Sequence, residues 1–506
     1  MKNIIQSVLE SGSEAIIIDV ECALSNSLPN IVIVGLGNKS IDEAKERIRN
    51  AFSASKIKIP RKKITINMAP SDIPKEGSSY DLPMALAILK ASEMVNVKLP
   101  DKTIVMGELG LNGEIKAIRG LIGKVIASKS LGYKHFIIPS DNGAQANIIP
   151  GIYIHQAENL KDLFQSMNGG SSLAFYPSSG DVQPTKNSSN KPQGQQLITL
   201  DDVVDQDQAK RAMMIAASGH HNILLNGPPG SGKSMLAKAF VGILPDLTKN
   251  EALEVTHLHS LVSKQYETII TQRPIRSPHH SSSHIAIIGG GQHPKPGEIS
   301  LSHNGVLFLD ELPEFNKQII EALRQPLEDK VITVARVKSS ATFPAKFILV
   351  ATANPCPCGY FGSRKECSCL PHNIIRYQQK ISGPILDRID IYVGVDEVKH
   401  DRLLRNNQKN LRNWQSIVSK ARSKQLLRAG KLNNDLSNKE IKKFCQLDKP
   451  SEEFFNSAAE KLLLSARSYM KVLKIARTIA DIDDKEKVGL PHLTEALQYR
   501  KKDIYL

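Results

Sequence analysis

Cysteine, aromatic residues and long apolar runs are scarce in this chain of 506 residues. Six cysteines are too few for a disulfide framework at this length, which favours a reducing, cytoplasmic setting. No apolar run approaches the roughly 18 residues of a membrane-spanning helix, so we expect no association with a membrane. The opening segment, MKNIIQSVLESGSEA, also has no sustained apolar stretch of the kind that a secretory signal contains.

Acidic residues are the other shortfall. Asp and Glu number 51 against 66 Lys and Arg, a formal charge of +15 that favours an anionic partner, with nucleic acid the first candidate. Hydrophobic residues make up 41% of the chain, which excludes a protein that is disordered throughout. At roughly 100–200 residues per domain, this length predicts about two to four domains.

A linker-like segment divides the chain. Residues 168–196 are dense in Gly, Ser, Pro, Asn and Gln, a composition typical of a flexible linker. Before it, residues 1–167 alternate strand-like and helix-like stretches, which predicts an α/β domain. After it, the almost wholly apolar runs NILLNG, GVLFLD and FILVATA predict a doubly wound parallel sheet over residues 197–396. The pattern over 397–506 is helical and charged, which predicts an α-helical lid.

One segment matches the phosphate-binding pattern G-x-x-x-x-G-K-[ST] between a predicted strand and a predicted helix. Its residues are Gly227, Pro228, Pro229, Gly230, Ser231, Gly232, Lys233 and Ser234. In such a loop, backbone N–H groups and the helix N-terminus bind phosphates, the lysine reaches the β- and γ-phosphates, and the serine hydroxyl binds Mg²⁺. We therefore predict an ATP and Mg²⁺ site, with a glycine-rich turn formed by chance as the structural alternative.

Four further positions complete a candidate hydrolytic site. The run GVLFLDE predicts a buried strand that delivers Asp310, for Mg²⁺ through water, and Glu311, for polarising the attacking water. The strand FILVATAN delivers Asn354 to the same edge, where it would orient that water. Arg388 follows a proline on a turn and is a candidate for stabilising charge on a neighbouring subunit's γ-phosphate, which needs an oligomer. Taken singly, a capped strand end and a surface salt-bridge arginine are the plainer interpretations.

The motifs GPPGSGKS, GVLFLDELPEF, ATANPCPCGY, SGPILDRIDI and SARSYMKVLKIARTIAD occur in an order that resembles the magnesium-chelatase-like AAA+ ATPases, and most closely their ComM-like branch. The segments RPIRSPHHSSSHIAIIGGG and PKPGEISLSHNG are also similar to that branch, so the resemblance covers nearly the whole chain. It implies an ATP-driven helicase for DNA branch migration in natural transformation, assembled as a homohexameric ring with ATP between subunits. By the same resemblance, Asn354 matches sensor 1, Arg388 the trans-acting arginine finger, and Arg467 the sensor 2 arginine of the lid.

The resemblance also implies inserts that face DNA. Residues 279–304 correspond to the helix-2 insert of this clade, and LEDKVITVARVKSSATFPAKF to the hairpin before sensor 1. In the related minichromosome-maintenance helicases both hairpins face the pore. Arg336 and Lys338 near the hairpin tip, and Lys295 in the insert, are therefore candidates for contacts with DNA phosphates, which carry no sequence specificity. Each of the three has an ordinary solvated charge as its alternative interpretation.

Most of the cysteines are clustered. The insertion at residues 356–369 contains Cys356, Cys358, Cys367 and Cys369. Four thiolates at this spacing can close a tetrahedral Zn²⁺ site, and a structural role follows because four protein ligands leave no open position for catalysis. Unligated thiols, a redox switch, and replacement of one cysteine ligand by His372 stay open. Cys22 and Cys445 stand alone and are expected to be ordinary structural residues.

In the N-terminal domain, DIPKEGSSYDLP and MGELGLNGEIKAIRGLIGKVIASKSLGYKHFIIP resemble the Lon protease domain. By that resemblance Ser79 falls at the nucleophile and Lys124 at its lysine partner. Tyr80 and Asp81 replace the small pair that follows the Lon serine, which crowds the backbone there. The resemblance therefore implies a scaffold and DNA-binding surface that is not proteolytic, in which the dyad is a relic.

Three functions stand as hypotheses: a DNA motor, a chelatase-type motor that remodels a protein partner without DNA, and an ATP-dependent protease of the Lon type. The ComM-like resemblance and the basic charge favour the first, acting on single-stranded, double-stranded or branched DNA. Residues 399–450 alone hold 14 Lys and Arg against 4 Asp and Glu. This helix-like stretch either lines DNA or forms a solvated surface of the lid.

Overall fold

The computed structural model describes residues 4–11, 14–35, 39–73, 75, 77–95, 98–168, 173–180, 198–262, 269–291, 294–335, 340–398 and 413–501. The chain folds into two compact units. The first comprises Met1–Ser189 together with Lys249–Ile270, and the second comprises Asn190–Thr248 together with Thr271–Leu506.

The strands, in chain order, are β1 (Ile4–Ser11), β2 (Glu14–Ser25), β3 (Asn30–Val34), β4 (Lys63–Ala69), β5 (Thr103–Val105), β6 (Glu108–Leu109), β7 (Ile115–Lys116), β8 (His135–Pro139), β9 (Tyr153–Ala157), β10 (Tyr176–Pro177), β11 (Ile223–Asn226), β12 (Ile275–Arg276), β13 (Gly289–Gly290), β14 (Lys295–Pro296), β15 (Val306–Leu309), β16 (Val331–Ala335), β17 (Ser340–Pro344), β18 (Ile348–Ala353) and β19 (Ile391–Gly394).

The α-helices are α1 (Lys39–Ala54), α2 (Asp81–Ala91), α3 (Leu121–Ser130), α4 (Gly143–Asn147), α5 (Leu160–Asn168), α6 (Asp207–Gly219), α7 (Lys233–Ala239), α8 (Lys249–Ser260), α9 (His284–Ile288), α10 (Glu298–Leu301), α11 (Lys317–Ala322), α12 (Arg324–Asp329), α13 (Pro371–Gln378), α14 (Gly383–Leu386), α15 (Trp414–Ala429), α16 (Asn438–Phe444), α17 (Lys449–Lys461), α18 (Ala466–Ile482) and α19 (Leu490–Gln498).

The first unit is built on a mixed sheet with the order β10-β9-β8-β5-β1-β2-β4-β3. The strand β4 alternates between buried and less buried positions, as expected of a strand whose two faces differ in burial. The helix α2 reads DLPMALAILKA, apolar on every side, and is buried from Asp81 to Leu89. The predicted α/β character of this region is confirmed.

One segment of the first unit comes from the middle of the chain. Residues 249–270, which fall inside the predicted ATPase domain, group with the N-terminal residues instead. In α8, Leu253 is buried in the same apolar cluster as Val8 and Ile104 of the sheet, and the Lys249 ammonium donates to the Gly180 carbonyl at 3.2 Å. The helix is mostly polar or charged outside its buried positions, so its sequence gives no indication of which unit would bury it.

The second unit contains a five-stranded sheet with the order β12-β15-β18-β11-β19. Every pairing in it is parallel. Numbered along the chain, the strands lie in the order 2-3-4-1-5, so the first strand occupies an interior position. The strands β15 and β18 are buried at every residue, as expected where helices cover both faces. The predicted doubly wound parallel sheet is confirmed, and its carboxyl edge is where ligands bind in such sheets.

The helices from α15 to α19 form the predicted helical C-terminal region. Apolar residues of these helices, such as Val418, Ile479 and Leu493, belong to the same buried cluster as Val350 and Ile391 of the sheet. The lid is therefore packed on the second unit's own core. No helix within the described ranges is both long and apolar enough to cross a lipid bilayer.

Candidate nucleotide-binding site

The loop between β11 and α7 has the backbone that its glycines predict. Gly230 has φ of +76° and Gly232 has φ of +91°, the left-handed region that glycine enters without a steric cost. Gly227 is needed for a different reason, because a Cβ atom there would lie 2.1 Å from the carbonyl oxygen of Val395. The helix then begins at Lys233, so its N-terminus closes the loop.

Lys233 occupies the centre of this loop. Its ammonium donates to the carbonyl oxygens of Gly227 at 2.6 Å and Pro228 at 2.7 Å, and to Oδ1 of Asn354 at 3.2 Å. Asn354 follows β18 directly, so two neighbouring strands deliver these side chains to one edge of the sheet. The structure therefore brings the loop lysine and Asn354 into contact at that edge.

The two predicted magnesium ligands are also in contact. The Ser234 hydroxyl donates to Oδ2 of Asp310 at 3.0 Å. Asp310 follows the buried strand β15, and Glu311 comes next with φ of +54° and an exposed side chain. Burial lowers the pKa of Lys233, and the nearby Asp310 and Glu311 carboxylates oppose that shift.

Thr352 is a residue of this site that the sequence reasoning missed. It is fully buried on β18, where its hydroxyl donates to Oδ1 of Asp310 at 2.6 Å and accepts from the Glu311 backbone N–H at 2.9 Å. One hydroxyl therefore orients the candidate magnesium ligand and the backbone of the candidate base. A polar residue inside the apolar run FILVATA was the available signal.

The donors and acceptors of the loop suit a magnesium–nucleotide complex. Ser231 is 1% exposed, and its hydroxyl oxygen has no hydrogen-bond partner among the described residues, which fits a site that binds a phosphate oxygen. Lys233 supplies a cation, while the Ser234 hydroxyl and the Asp310 carboxylate are the oxygen ligands that Mg²⁺ prefers. These four residues would hold the nucleotide and its metal ion.

The two predicted arginines meet at one carboxylate. Arg388 forms an ion pair with Glu328 and also donates to the Pro384 carbonyl at 2.7 Å, and Arg467 lies 3.6 Å from the other Glu328 oxygen. The Arg388 guanidinium holds the pKa of Glu328 below its ordinary value. In the part of the chain that the structure describes, neither arginine has a hydrogen bond or ion pair with the loop at 227–234. Glu328 itself was not anticipated from sequence.

The four cysteines of the insertion lie together. Sulfur atoms are separated by 3.3 Å for Cys356 and Cys358, 3.7 Å for Cys356 and Cys367, and 3.5 Å for Cys358 and Cys367. Cys369 completes the group, whose sulfur atoms all lie within 4.8 Å of one another. Zn–S bonds of about 2.3 Å in a tetrahedron give S–S edges of roughly 3.8 Å, so the thiols fit a metal ion. Among the described residues, His372 is not part of a metal-binding group.

The two solitary cysteines have plain structural surroundings. Burial raises the pKa of both Cys22 and Cys445 to about 11, which keeps these thiols protonated at neutral pH and unreactive.

Of the three candidate DNA-binding residues, the structure describes Lys295. Lys295 is exposed on β14, which pairs with β13 as a short hairpin. The predicted second hairpin is present as β16 and β17. A Cβ atom on Gly289 of β13 would lie 3.4 Å from a Val334 methyl group of β16, so the two hairpins are adjacent. Arg336 and Lys338 lie outside the described residues.

Several charges of the basic C-terminal stretch have partners within the second unit. Arg422 is buried and donates to the Ala217 carbonyl at 2.8 Å. Arg428 forms an ion pair with Asp481 at 2.7 Å, and Lys424 forms one with Asp484. The charges of these three residues are therefore already engaged by groups of the second unit.

In the N-terminal unit, Ser79 is buried in the turn before α2, and Lys124 lies in the first turns of α3. Tyr80 is buried, and Asp81 accepts two hydrogen bonds from Arg47, at 2.7 and 3.1 Å. Burial raises the pKa of Asp81, and the Arg47 guanidinium opposes this shift. The two residues that depart from the Lon pattern are thus built into the core. The dyad stays a prediction.

Comparison with known proteins identifies the family of this chain. Residues 20–142 match the family described as subunit ChlI of Mg-chelatase, residues 199–403 match magnesium chelatase, subunit ChlI, and residues 409–500 match its C-terminal family. Competence protein ComM of Haemophilus influenzae is 40% identical over 98% of this chain and 97% of its own length. The uncharacterized protein YifB of Escherichia coli is 40% identical over 97% and 96%. The magnesium-chelatase 38 kDa subunit of Rhodobacter capsulatus is 23% identical over 59% and 86%. The chain therefore belongs to the magnesium-chelatase-like family of AAA+ ATPases, in the group that contains ComM and YifB.

Proposed function

We propose that this protein is an ATP-hydrolysing DNA motor that promotes branch migration of recombination intermediates, as in the integration of transforming DNA. The observation that carries the proposal is full-length similarity to a competence protein in a chain whose nucleotide site is assembled. Its net positive charge suits a polyanionic partner bound without sequence preference.

Each residue of the site has a role in hydrolysis. Lys233 binds the β- and γ-phosphates, and Ser234 and Asp310 hold Mg²⁺, which neutralises phosphate charge when it is bound. Glu311 polarises the attacking water, and Asn354 orients that water from the neighbouring strand. Their contacts support these roles because the groups converge at the carboxyl edge of the sheet.

Arg388 is proposed to act on ATP held by a neighbouring subunit of a homohexameric ring, and Arg467 to serve as the sensor 2 arginine of the lid. Their shared contact with Glu328 supports a common task. An arginine that approaches the γ-phosphate from outside stabilises the charge of the transition state.

Lys295, together with Arg336 and Lys338, is proposed to contact the DNA backbone inside the ring. The adjacency of the two hairpins supports one shared DNA-facing surface. Contacts with phosphates of this kind release counterions, so DNA affinity should fall steeply with salt concentration.

The four-cysteine cluster is proposed to hold structural Zn²⁺.

The N-terminal unit is proposed to serve as a Lon-like scaffold and DNA-binding surface, and the burial of Tyr80 and Asp81 beside Ser79 supports a structural use of that segment. If the protein cleaves casein and Ser79→Ala leaves the cleavage unchanged, the result agrees with this proposal. If Ser79→Ala abolishes casein cleavage, the result favours a peptidase.

The proposal is tested by measuring ATPase activity with and without DNA, together with migration of a labelled Holliday junction. Lys233→Ala is expected to abolish both activities. Lys238→Ala, on the exposed side of the same helix, is the matched control and is expected to retain both. A protein that hydrolyses ATP but neither binds DNA nor moves junctions would instead favour a chelatase-type motor acting on a protein partner, an alternative kept open by the magnesium-chelatase relatives.

The trans role of Arg388 has its own test. Arg388→Ala and Glu311→Gln subunits are each expected to be inactive as separate rings. When they are mixed, a site with intact Glu311 can be completed by Arg388 from its neighbour, so ATPase activity should return. A mixture that stays inactive, although mass measurement shows mixed rings, would place the arginine in its own subunit's site.

A further inference from the structure

The cysteine insertion and the phosphate-binding loop are in direct contact. Gly359 lies between the first and second cysteine pairs, it is buried, and a Cβ atom placed on it would lie 2.6 Å from both Cγ and Cδ of Pro229. Pro229 is the third residue of the loop that surrounds Lys233. The turn of the insertion therefore packs its backbone directly onto the ring of a phosphate-loop residue.

The cysteines fix this turn. The Gly359 N–H donates to the Cys356 carbonyl at 3.0 Å, which closes a turn around Cys358. Cys356 is fully buried, and its sulfur accepts the Phe361 N–H at 3.3 Å. A metal ion bound by all four sulfurs would tie this turn to Cys367, which lies farther along the chain. Without that bond, nothing covalent links the two cysteine pairs except the connecting segment.

A second connection runs through the backbone. Cys356 follows Asn354 by two residues, and Asn354 accepts from the Lys233 ammonium at 3.2 Å. The same ammonium donates to the carbonyl of Pro228, the neighbour of Pro229. The cluster is thus joined to the phosphate-binding loop by packing at one point and by a hydrogen-bonded side chain at another.

We propose that the four-cysteine metal site is coupled to the nucleotide site, so that bound metal preorganises the phosphate-binding loop and raises its affinity for nucleotide. The inference rests on the proposed nucleotide and zinc sites and adds a regulatory relation between them. Linkage makes the relation reciprocal: nucleotide raises metal affinity by the same factor as metal raises nucleotide affinity. A roughly tenfold effect is expected, within the usual range for coupled sites.

Two glycines of the insertion provide a matched pair of variants. Gly359 and Gly362 have φ of +87° and +76°, so alanine strains the backbone similarly at both positions. Only the alanine at 359 meets Pro229, because no atom of the described residues lies within 4 Å of a Cβ atom at Gly362. Comparison of the two variants therefore separates contact with the phosphate-binding loop from distortion of the insertion.

The first experiment measures zinc content and affinity for a fluorescent ATP analogue with Mg²⁺. Both Gly359→Ala and Gly362→Ala are expected to retain about one zinc ion per chain, since each keeps four thiol ligands. Gly359→Ala should bind the analogue roughly tenfold more weakly than Gly362→Ala, which should stay within about twofold of the unmodified protein. Equal affinities in the two folded variants would overturn the proposal.

The second experiment uses the unmodified protein and so does not depend on the folding of a variant. The equilibrium partition of zinc between the protein and a chromogenic chelator is measured with and without Mg²⁺-ADP. Nucleotide is expected to raise the zinc affinity of the protein roughly tenfold. If zinc and nucleotide both bind but zinc affinity is unchanged, the coupling is absent while the proposed sites stand. If no zinc or no nucleotide binds, the proposed site itself fails, and the coupling with it.

Discussion

Thr352→Val is the substitution that probes the buried support of the hydrolytic site most directly. Valine matches threonine in shape and removes only the hydroxyl, which joins Oδ1 of Asp310 at 2.6 Å and the Glu311 N–H at 2.9 Å. None of the residues proposed to contact ATP is altered. The change therefore tests whether the positions of the two acidic residues depend on the strand beside them.

The expected magnitude follows from those two hydrogen bonds. A hydrogen bond to a charged group contributes about 1.5–3 kcal/mol, and an unpaired buried N–H costs about 1–3 kcal/mol. Asp310 is only partly buried and the Glu311 side chain is exposed, so hydrogen bonds to water offset part of the lost free energy. A net cost of about 1.5–3 kcal/mol in transition-state stabilisation corresponds to a fall in kcat of roughly 10- to 150-fold.

Steady-state ATPase assays, with nucleotide affinity measured separately, check this expectation. Affinity for ATP should change little because the loop at 227–234 is intact, so the loss should appear in kcat. Thr352→Ser is the control: it keeps the hydroxyl and loses a buried methyl group, which costs stability of about 1 kcal/mol without costing activity. A Thr352→Val protein with kcat within twofold of the unmodified protein would refute the reasoning.

Three further substitutions have expected outcomes. Arg477→Met should lower the free energy of unfolding by about 1.5–3 kcal/mol in denaturant titrations, because the fully buried guanidinium loses its hydrogen bonds while Asp481 keeps its ion pair with Arg428. Arg467→Ala, at a largely exposed ion pair, should change it by less than about 1 kcal/mol. Gly227→Ala should abolish nucleotide binding in a fluorescence titration because its methyl group meets a main-chain carbonyl, whereas Gly242→Ala, with open space around it, should bind normally. Asn354→Ala should lower kcat by about 10- to 100-fold and leave nucleotide affinity within a few fold, as expected for a residue that orients water; a loss confined to affinity would contradict that role.

The parts of the site that were predictable from the sequence are those in which one residue type serves one chemical task. The phosphate-binding loop needs glycine where φ is positive, a lysine and a hydroxyl, so its pattern identifies Gly232, Lys233 and Ser234 without the fold. Asp310 and Asn354 were also predictable, since parallel strands place their carboxyl ends at one edge. The sheet itself followed from short, almost wholly apolar runs, which are typical of strands covered on both faces.

The residues that were missed act through pairings between distant segments. Glu328 is an exposed carboxylate on α12 like many others, and its importance comes from arginines 60 and 139 residues farther along the chain. The placement of α8 in the first unit is of the same kind, because the helix's own sequence does not show that Leu253 joins the buried cluster of Val8 and Ile104. Periodicity reports which face of an element is buried but not which partner buries it.

Pairings between distant segments also change how the positive charge of residues 399–450 is interpreted. Counted along the sequence, residues 399–450 hold 14 Lys and Arg against 4 Asp and Glu, which predicts either a DNA-binding surface or a solvated surface of the lid. In three dimensions Arg422 is buried against a backbone carbonyl, Arg428 is paired with Asp481 of α18, and Lys424 is paired with Asp484, which follows that helix. A charge already paired within the protein releases few counterions when DNA binds, so it contributes little to the salt dependence of DNA affinity. That dependence should therefore respond to substitution of Lys295, which is exposed on the insert hairpin, much more than to substitution of Lys424.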